Sequence, residues 1–160
     1  MLNYMPELDG AESGAAPLPE TPAGARCDAP LTFMLAGKSF FTLRSTKTGT
    51  RYTYRVMQAE RGGWFVSLLN GPDNWNNYQY IGFIGQQDRK FRTTGKSTLP
   101  ATAEPVRAFA WTFGRLVAGQ LIDGCEVWHA GKCGRCGRKL TVPESIATGL
   151  GPECAGKAAA

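Results

Sequence analysis

The scarcest ligand-forming residues of this chain lie together near its C-terminus. The 160 residues include one histidine and five cysteines, and the histidine and three cysteines follow the pattern H-x3-C-x2-C-x17-C. The pattern is formed by His129, Cys133, Cys136 and Cys154. One imidazole nitrogen and three thiolate sulfurs suit tetrahedral zinc. The spacing therefore predicts one structural zinc ion bound by these four side chains.

The residues between these ligands have the turn and helix signals that such a site needs. Gly134 and Gly137 relieve the backbone strain of a tight C-x2-C turn and leave amide groups free to hydrogen-bond the thiolates. The segment Thr141–Glu144 has the form of a capping box, so a short helix is predicted there. A second helix is predicted to begin at Gly151, with Cys154 in its first turn, where the helix dipole favours a thiolate. The arrangement is treble-clef-like.

Other interpretations of the cysteine pattern stay open from the residues alone. Cys125 is the fourth ligand if His129 is an ordinary surface or core histidine. A C-x2-C pair also occurs in thioredoxin-like redox proteins, but this chain lacks their βαβ pattern. A zinc ion with an open coordination position would be catalytic, yet the H-x-E and H-E-x-x-H motifs of zinc enzymes are absent. Cys27 lies outside the pattern and is predicted to be a free thiol.

The segment from Trp128 to Cys154 resembles the C-terminal zinc-finger module of a family of uncharacterised bacteriophage and prophage proteins. The residues that match the family pattern are His129, Gly131, Cys133, Cys136, Gly137, Arg138, Leu140, Pro143, Ser145, Gly149, Gly151, Pro152 and Cys154. The β-rich segment upstream also resembles the corresponding part of some phage members. The resemblance implies a phage-encoded intracellular protein with a metal site, and it implies no particular activity.

The charges of the chain divide unevenly between its N-terminus and its body. Residues 1–29 contain five acidic residues and one basic residue, a net charge of −4, whereas the rest contains 17 basic and 8 acidic residues, a net charge of +9. The first 29 residues are rich in Ala, Pro and Gly without a hydrophobic period, so they are predicted to be disordered. A basic body attracts nucleic acid or an acidic protein surface.

The sequence has no signal for a membrane or for export. No apolar run approaches the length of a transmembrane helix, and the N-terminus lacks the basic and apolar regions of a signal peptide. We therefore expect a protein of the host cell cytoplasm with reduced thiols and no membrane partner.

Residues 30–122 are predicted to form a β-rich body. Short runs of alternating apolar and polar residues, separated by glycine-containing turns, predict five strands of an antiparallel and strongly twisted sheet. In one run, "TRYTYRVM", Tyr52, Tyr54 and Val56 fall on one face and the residues between them on the other. The sheet is therefore expected to have one buried face and one face in solvent.

One helix is predicted at about residues 102–118. Thr102 is its expected N-cap, Pro105 suits its first turn, and Gly119 can end it. The apolar residues expected to face the sheet are Val106, Phe109, Ala110, Phe113 and Val117. With a finger at residues 123–160, the predicted fold class is α+β: a small twisted antiparallel β-sheet with one packed α-helix, followed by a treble-clef-like zinc finger.

Basic and aromatic residues are interleaved in the body, a combination typical of surfaces that stack bases and hold phosphates. The candidate binding residues are Arg51, Arg55, Arg92 and Lys96 of the body, Trp75 of a polar loop, and Arg135, Arg138 and Lys139 of the finger turn. Trp111 is a further candidate, because it lies between two arginines on one helical stripe. That placement indicates either a structural cation–π stack or a contact patch. The interleaved aromatic residues are Tyr52, Tyr54, Tyr78, Tyr80 and Phe91, and at most half of them can face outward.

These features predict a zinc-binding accessory protein of a phage that binds nucleic acid, either DNA or RNA. The alternative is a non-enzymatic phage inhibitor that binds a host protein or nucleoprotein complex, such as a CRISPR effector or RNA polymerase. An enzyme is not predicted. The chain has no Ser–His or Cys–His arrangement beyond the zinc set, no phosphate-binding loop and no paired carboxylates at a motif.

Overall fold

Consecutive antiparallel hairpins build most of a seven-stranded sheet in the computed structural model, which describes residues 25–73 and 76–158. The strands are Ala25–Arg26 (β1), Lys38–Ser45 (β2), Arg51–Gln58 (β3), Trp64–Leu69 (β4), Tyr78–Ile84 (β5), Phe91–Arg92 (β6) and Cys125–His129 (β7). Their order in the sheet is β1-β7-β2-β3-β4-β5-β6. The helices are Pro30–Met34 (α1), Glu104–Val117 (α2), Pro143–Thr148 (α3) and Pro152–Ala158 (α4). None of the described helices is both long and apolar enough to span a membrane.

One face of the sheet, called the inner face below, carries the hydrophobic core. Tyr52, Tyr54 and Val56 of β3 are buried and alternate with partly exposed residues, which confirms the predicted alternation. Helix α2 packs on this face, where the ring centroid of Phe109 lies 5.3 Å from that of Tyr54 and 6.3 Å from that of Phe41. Helix α1 packs against the same core. The predicted α+β class, an antiparallel sheet with a packed helix, is confirmed.

The start of α2 differs from the prediction. Ala103 is its N-cap residue and no side chain caps the helix, so the predicted capping role of Thr102 is wrong. Pro105 in the first turn has a backbone angle already suited to a helix. The hydroxyl of Tyr54 donates a hydrogen bond of 2.7 Å to the carbonyl oxygen of Pro105. A contact with the core therefore anchors this end, where the sequence predicts a local cap.

The C-terminal end of α2 follows the prediction. Gly119 has a φ of +71°. Its N–H donates to the carbonyl of Leu116 at 3.1 Å, and the N–H of Gln120 donates to the carbonyl of Arg115 at 2.8 Å. These two bonds form a Schellman motif, which requires a left-handed residue at the position of Gly119.

The face that α2 turns toward the sheet is shifted from the predicted one. Its buried residues are Val106, Ala108, Phe109, Thr112 and Phe113. Ala110 and Val117 are exposed, so the prediction that they face the sheet is wrong. Ala110 lies about 100° around the helix from Phe109, the residue at the centre of the contact. Alanine is too small and too weakly apolar to determine which side of the helix faces the sheet, so the pattern of alanines does not predict the rotation of α2.

The described chain begins with ordered structure inside the segment predicted to be disordered. Arg26 of β1 pairs with Trp128 of β7. The N–H of Cys27 donates to the carbonyl of Val127, and the N–H of Asp28 donates to that of Ala147, both at 2.8 Å. The prediction of disorder is therefore wrong for residues 25–29, whose backbone partners lie about a hundred positions away. The remainder of that prediction, residues 1–24, lies outside the described residues.

Strand β7 belongs to the sheet although its residues fall in the segment 123–160 assigned to the finger. It lies between β1 and β2, with Cys125 opposite Ser45 and His129 opposite Phe41. The chain leaves the sheet only after His129 and enters the C-x2-C turn directly. The sheet thus fixes the position at which the next segment begins. Residues 130–158 are called the C-terminal module from here on.

Candidate metal centre and outer sheet face

Three cysteines of the C-terminal module form a cluster that could hold a metal ion. The sulfur atoms of Cys133, Cys136 and Cys154 all lie within 4.8 Å of one another. Cys133 and Cys154 are buried and Cys136 is exposed, so the cluster opens to solvent on one side. Three sulfur donors at this separation match the ligand chemistry of zinc sites. The structure therefore brings together three of the four predicted ligands.

A tight turn places the first two cysteines. Gly137 has a φ of +79°, and its N–H donates to the carbonyl of Cys133 at 2.9 Å. The Cys133 sulfur in turn accepts N–H groups from Arg135 at 3.4 Å and from Gly151 at 3.5 Å. Glycine at position 137 relieves the strain of the left-handed turn, and the nearby amides hydrogen-bond a thiolate, as the sequence predicts.

Two short helices complete the module. Cys154 lies in the first turn of α4, as predicted. Helix α3 begins at Pro143 with Val142 as its N-cap residue and has no side-chain cap, so the predicted capping box at Thr141 is not formed. Proline disfavours a helical conformation in the residue before it, which leaves Val142 extended and sets the start of the helix. Gly149 ends α3 in the left-handed conformation, with a φ of +77°.

The thiol groups of the cluster ionise unequally. Burial alone would raise the pKa of Cys133, but the N–H groups that hydrogen-bond its sulfur outweigh burial and lower the pKa to about 7. The pKa of Cys154 is raised, first by burial and then by the neighbouring sulfur atoms of Cys136 and Cys133. A cation among the three sulfurs would relieve that repulsion and favour the thiolate form of all three.

His129 is buried and is not a member of the cysteine cluster. Its Nδ1 accepts the N–H of Gly131 at 3.0 Å, and its Nε2 lies 2.6 Å from the carbonyl oxygen of Ile146, to which it donates. Its ring centroid lies 5.3 Å from that of Phe33. Burial lowers the pKa of His129, so the ring is neutral. Both nitrogens are used by the backbone, and the structure does not bring His129 to the cysteines as predicted.

Cys125 and Cys27, the remaining cysteines, also lie outside the cluster. Cys125 is buried in β7, where its sulfur lies 3.7 Å from the hydroxyl of Thr112. The sulfur of Cys27 donates to the carbonyl of Thr148 at 3.5 Å. Burial raises the pKa of each thiol to about 11. Both side chains are therefore protonated packing residues, and Cys125 does not take the place of His129 as a ligand.

The module packs closely against the body through Phe33. Gly134 and Gly149 approach its ring so closely that a Cβ atom on either glycine would collide with it. The N–H of Lys38 at the start of β2 donates to the carbonyl of Gly134 at 2.7 Å. A small core joins the two parts and includes two of the three cluster cysteines. The position of the cluster relative to the sheet is thus fixed by packing.

Comparison with known protein families finds one similarity, and it falls on this module. Residues 129–159 match DUF6011, which is described as a family of unknown function. No curated protein and no solved structure shows a match to the chain. The matched segment contains the whole cysteine cluster, which fits the resemblance to a C-terminal metal-binding module.

The face of the sheet opposite the core is called the outer face below. Alternation along the strands and their register place on it Arg26, Phe40, Thr42, Arg44, Arg51, Arg55, Phe65, Ser67, Tyr78, Tyr80, Phe83, Arg92, Glu126 and Trp128. Helices α1 and α2 pack against the inner face. The outer face therefore combines aromatic rings with arginine side chains, and among its strand residues only Glu126 is acidic.

Five of the six aromatic rings placed on the outer face form two groups, and the sixth, Trp128, donates its ring N–H to Glu126 at 3.2 Å. Phe65 is 47% exposed, and its ring centroid lies 6.0 Å from that of Tyr80 and 5.5 Å from that of Phe83, both in edge contacts. The second group contains Phe40 and Tyr78, with centroids 5.8 Å apart. These contacts hold the rings in place while leaving part of their surface accessible.

The arginines of the outer face differ in their partners. Arg44 and Arg26 lie 3.0 Å and 3.7 Å from carboxylate oxygens of Glu126, and Arg92 pairs with Asp88 in a loop. The guanidinium of Arg55 lies over the ring of Tyr78, 4.9 Å from its centroid. The positive charge therefore exceeds the negative charge on this face.

The predicted binding residues do not form one surface. The candidates on the outer face are Arg51, Arg55 and Arg92, with Tyr78 and Tyr80 beside them. The other interleaved aromatic residues are on the core side: Tyr52 and Tyr54 are buried, and Phe91 packs against Phe109. Lys96 is exposed in the loop after β6, and Arg135, Arg138 and Lys139 are exposed in the module. Trp111 lies on α2, on the other side of the sheet, with the guanidinium of Arg115 5.4 Å from its ring centroid. Trp75 lies outside the described residues.

Sequence reasoning missed several residues of the outer face, above all Phe40, Phe65 and Phe83. The alternation in "WFVSLL" already separates Phe65 from its buried neighbours Trp64 and Val66. That signal was available in the sequence. The positions of Phe40 and Trp128 are less apparent, because they depend on which strands are neighbours in the sheet.

A groove connects the outer face to the module. It has a volume of about 250 Å³ and is lined by Lys38, Phe40, Ala130, Lys132, Cys133, Cys136 and Gly137. Lys38 and Lys132 are exposed at its sides. The turn that carries Cys133 and Cys136 thus lies at the edge of the aromatic and basic face.

Proposed function

We propose that this protein binds nucleic acid through the outer face of its sheet and that a zinc ion fixes the module at the edge of that face. We further propose that it is a non-enzymatic protein encoded by a bacteriophage and that it acts in the host cytoplasm, a view supported by the resemblance of the module. The partner is a polyanion whose bases can stack on aromatic rings.

The observation that carries this proposal is the contrast between the two faces. The inner face is covered by α1 and α2, while the outer face carries five arginines, one glutamate and a set of partly exposed rings. Arginine and exposed aromatic side chains on a β-sheet hold phosphates and stack bases. A sheet face that served only as a solvated surface would not need partly exposed rings held in edge contact with one another.

The proposed metal is one zinc ion per chain, bound by Cys133, Cys136 and Cys154. Thiolate ligands favour zinc over calcium and magnesium, which require oxygen ligands. A tetrahedral site needs a fourth ligand. That ligand is a group other than His129, because both ring nitrogens of His129 form hydrogen bonds with the backbone. Zinc would tie the turn that lines the groove to α4, and so shape one end of the proposed binding face.

The proposal is tested by titrating the full chain, loaded with zinc, into fluorescent oligonucleotides at several salt concentrations. Affinity should fall steeply with salt, because each neutralised phosphate releases counterions. Arg51→Gln should weaken binding and reduce the magnitude of the salt slope by about 1. The matched control is Arg107→Gln, which removes the same charge from the exposed surface of α2 and should change neither quantity.

Absence of binding to any oligonucleotide near physiological salt would contradict the proposal. So would equal effects of the two arginine substitutions, since binding would then not depend on the outer face. Retention of one host protein after nuclease treatment, without affinity for free oligonucleotides, would favour an inhibitor of a host complex.

A further inference from the structure

We propose that the outer face takes single-stranded nucleic acid, with bases stacked on Phe65 and its neighbouring rings, in preference to a duplex. This inference rests on the proposed function and specifies the class of its ligand. The shared chemistry is an unpaired base beside a phosphate, which both single-stranded DNA and single-stranded RNA provide.

The first observation is the placement of Phe65 near the start of β4, a strand that has β3 and β5 on either side. About half of its side-chain surface is exposed, yet Tyr80 and Phe83 hold its ring from two sides. A large apolar ring exposed on an interior strand of a sheet offers a flat surface at little further entropic cost, because its position is already fixed. An unpaired base has a face to place against such a ring, whereas the bases of a duplex are stacked on one another.

The second observation is the curvature of the outer face. Phe40 is on β2 and Tyr78 is on β5, with β3 and β4 between them, and yet their ring centroids lie 5.8 Å apart. Neighbouring strands are about 4.8 Å apart, so three flat spacings would separate the backbones of these residues by roughly 14 Å. Their side chains therefore lean toward each other over β3 and β4, an arrangement that a sheet curled toward the outer side favours. Thr42 and Ser67 are buried on this face, as expected at the bottom of a trough.

A trough of this kind is suited to a flexible strand. Readout of duplex DNA requires an element that protrudes into a groove, usually a helix or a two-stranded ribbon. The rings of the outer face instead lie within a concave sheet, where the stacked base pairs of a duplex are out of reach. A single strand can turn its bases inward toward the rings and leave its phosphates at the rim.

The third observation is the cation placed beside the rings. The guanidinium of Arg55 lies over the ring of Tyr78, and its Nε is buried without a hydrogen-bond partner among the described residues. Arg51 lies on the same side of β3, at the start of the strand. Arginine next to an aromatic ring can hold a phosphate while the adjoining base stacks. The groove at Lys38 and Lys132 continues the positive charge toward the module.

The test compares binding of the zinc-loaded full chain to single-stranded oligonucleotides, made as DNA and as RNA, and to a hairpin duplex of the same length. We expect tighter binding to at least one single strand than to the duplex. Phe65→Leu keeps an apolar side chain but removes the ring, and should weaken single-strand binding by about 5- to 150-fold. Phe65→Trp keeps a ring and should retain binding. Leu121→Ala, at a 73% exposed residue after α2, is the control and should have no effect.

Each outcome separates the inference from the proposed function. Equal or tighter binding of the duplex, still sensitive to Arg51→Gln, would overturn single-strand preference and leave nucleic-acid binding intact. An unchanged affinity in Phe65→Leu would overturn stacking on this ring. If the unaltered protein bound none of the oligonucleotides, both proposals would be overturned. A melting curve shows whether Phe65→Leu still folds, and Tyr80→Leu serves as a second ring-removing variant.

Discussion

His129 illustrates how a residue of ligand-forming type can serve the core instead. Its spacing to Cys133 resembles that of a zinc ligand, but its imidazole bridges Gly131 and Ile146 through the backbone. The carbonyl of Ile146 is 17 positions away along the chain, and no pattern in the sequence indicates that it will meet this ring. The proximity of Cys133 and Cys136 could be predicted because the C-x2-C turn that joins them is local, whereas the role of the histidine depends on tertiary packing.

A set of three substitutions distinguishes the ligands from the other candidates. Cys136→Ser should lose the bound zinc, because it removes one of three clustered sulfurs. Cys125→Ser removes a buried cysteine outside the cluster and should keep one zinc ion per chain. His129→Gln should also keep one zinc ion, with some loss of stability from altered core packing. Metal analysis of the purified variants provides the measurement. A His129→Gln protein that remained folded without zinc would contradict the assignment of the three cysteines, without His129, as the protein ligands.

The buried histidine also predicts a pH dependence of stability. Burial lowers the pKa of His129 in the folded protein below its usual 6.5. Below about pH 6.5 the unfolded chain therefore binds a proton that the folded chain does not, and the free energy of unfolding falls as the pH decreases. The slope cannot exceed about 1.4 kcal/mol per pH unit, the value for a difference of one bound proton. Above pH 6.5 both states carry neutral histidine and this contribution is constant.

Denaturant unfolding between pH 5 and pH 7 measures this effect. The same measurement on His129→Gln is the control, since acid also protonates thiolates in both proteins. The difference in unfolding free energy between the two proteins should shrink as the pH is lowered. A difference independent of pH would show that the folded protein binds the proton as readily as the unfolded chain.

At the scale of elements, the ends of two helices show what local sequence can predict. The endings of α2 and α3 both fall at a left-handed glycine, Gly119 and Gly149. Their starts fall within two residues of the predicted positions, but the predicted side-chain caps are not formed. The register of the hairpins followed from alternation, but the insertion of β7 between β1 and β2 joins segments far apart in sequence and has no local signal.

The two glycines offer a matched test of how the module is attached. Gly119 and Gly149 have φ values of +71° and +77°, so alanine is strained at either position. A Cβ at Gly119 meets open space, whereas a Cβ at Gly149 collides with the ring of Phe33. Gly119→Ala should cost about 1 kcal/mol of unfolding free energy, and Gly149→Ala should cost more by about 1–3 kcal/mol because the core must be rearranged. Denaturant unfolding of both variants measures the difference.

Equal losses in the two variants would contradict the close packing of the module on the body. A larger loss in Gly149→Ala together with weaker zinc binding would support it further. The turn that carries Cys133 is joined to the same contact, because the N–H of Gly134 donates to the carbonyl of Gly149 at 2.8 Å.

At the scale of the whole molecule, the sheet separates the side that carries the core from the proposed binding side. Helices α1 and α2 and the core tyrosines lie on the inner side, and the arginines and the accessible ring surfaces lie on the outer side. The sequence predicted the mixture of basic and aromatic residues but not their sorting. Three of the five interleaved aromatic residues, Tyr52, Tyr54 and Phe91, pack on the core side. Phe40 and Phe65 lie on the outer face because of strand order and register.

The most direct test of the central claim is photochemical cross-linking of the zinc-loaded full chain to a single-stranded oligonucleotide, with the cross-linked residues mapped by mass spectrometry. Binding at the outer face should give adducts at Phe40, Phe65 and Tyr80, and none at Trp111 on α2. Adducts at Trp111 with none on β2, β4 and β5 would contradict it, because the nucleic acid would then lie on the opposite side of the molecule.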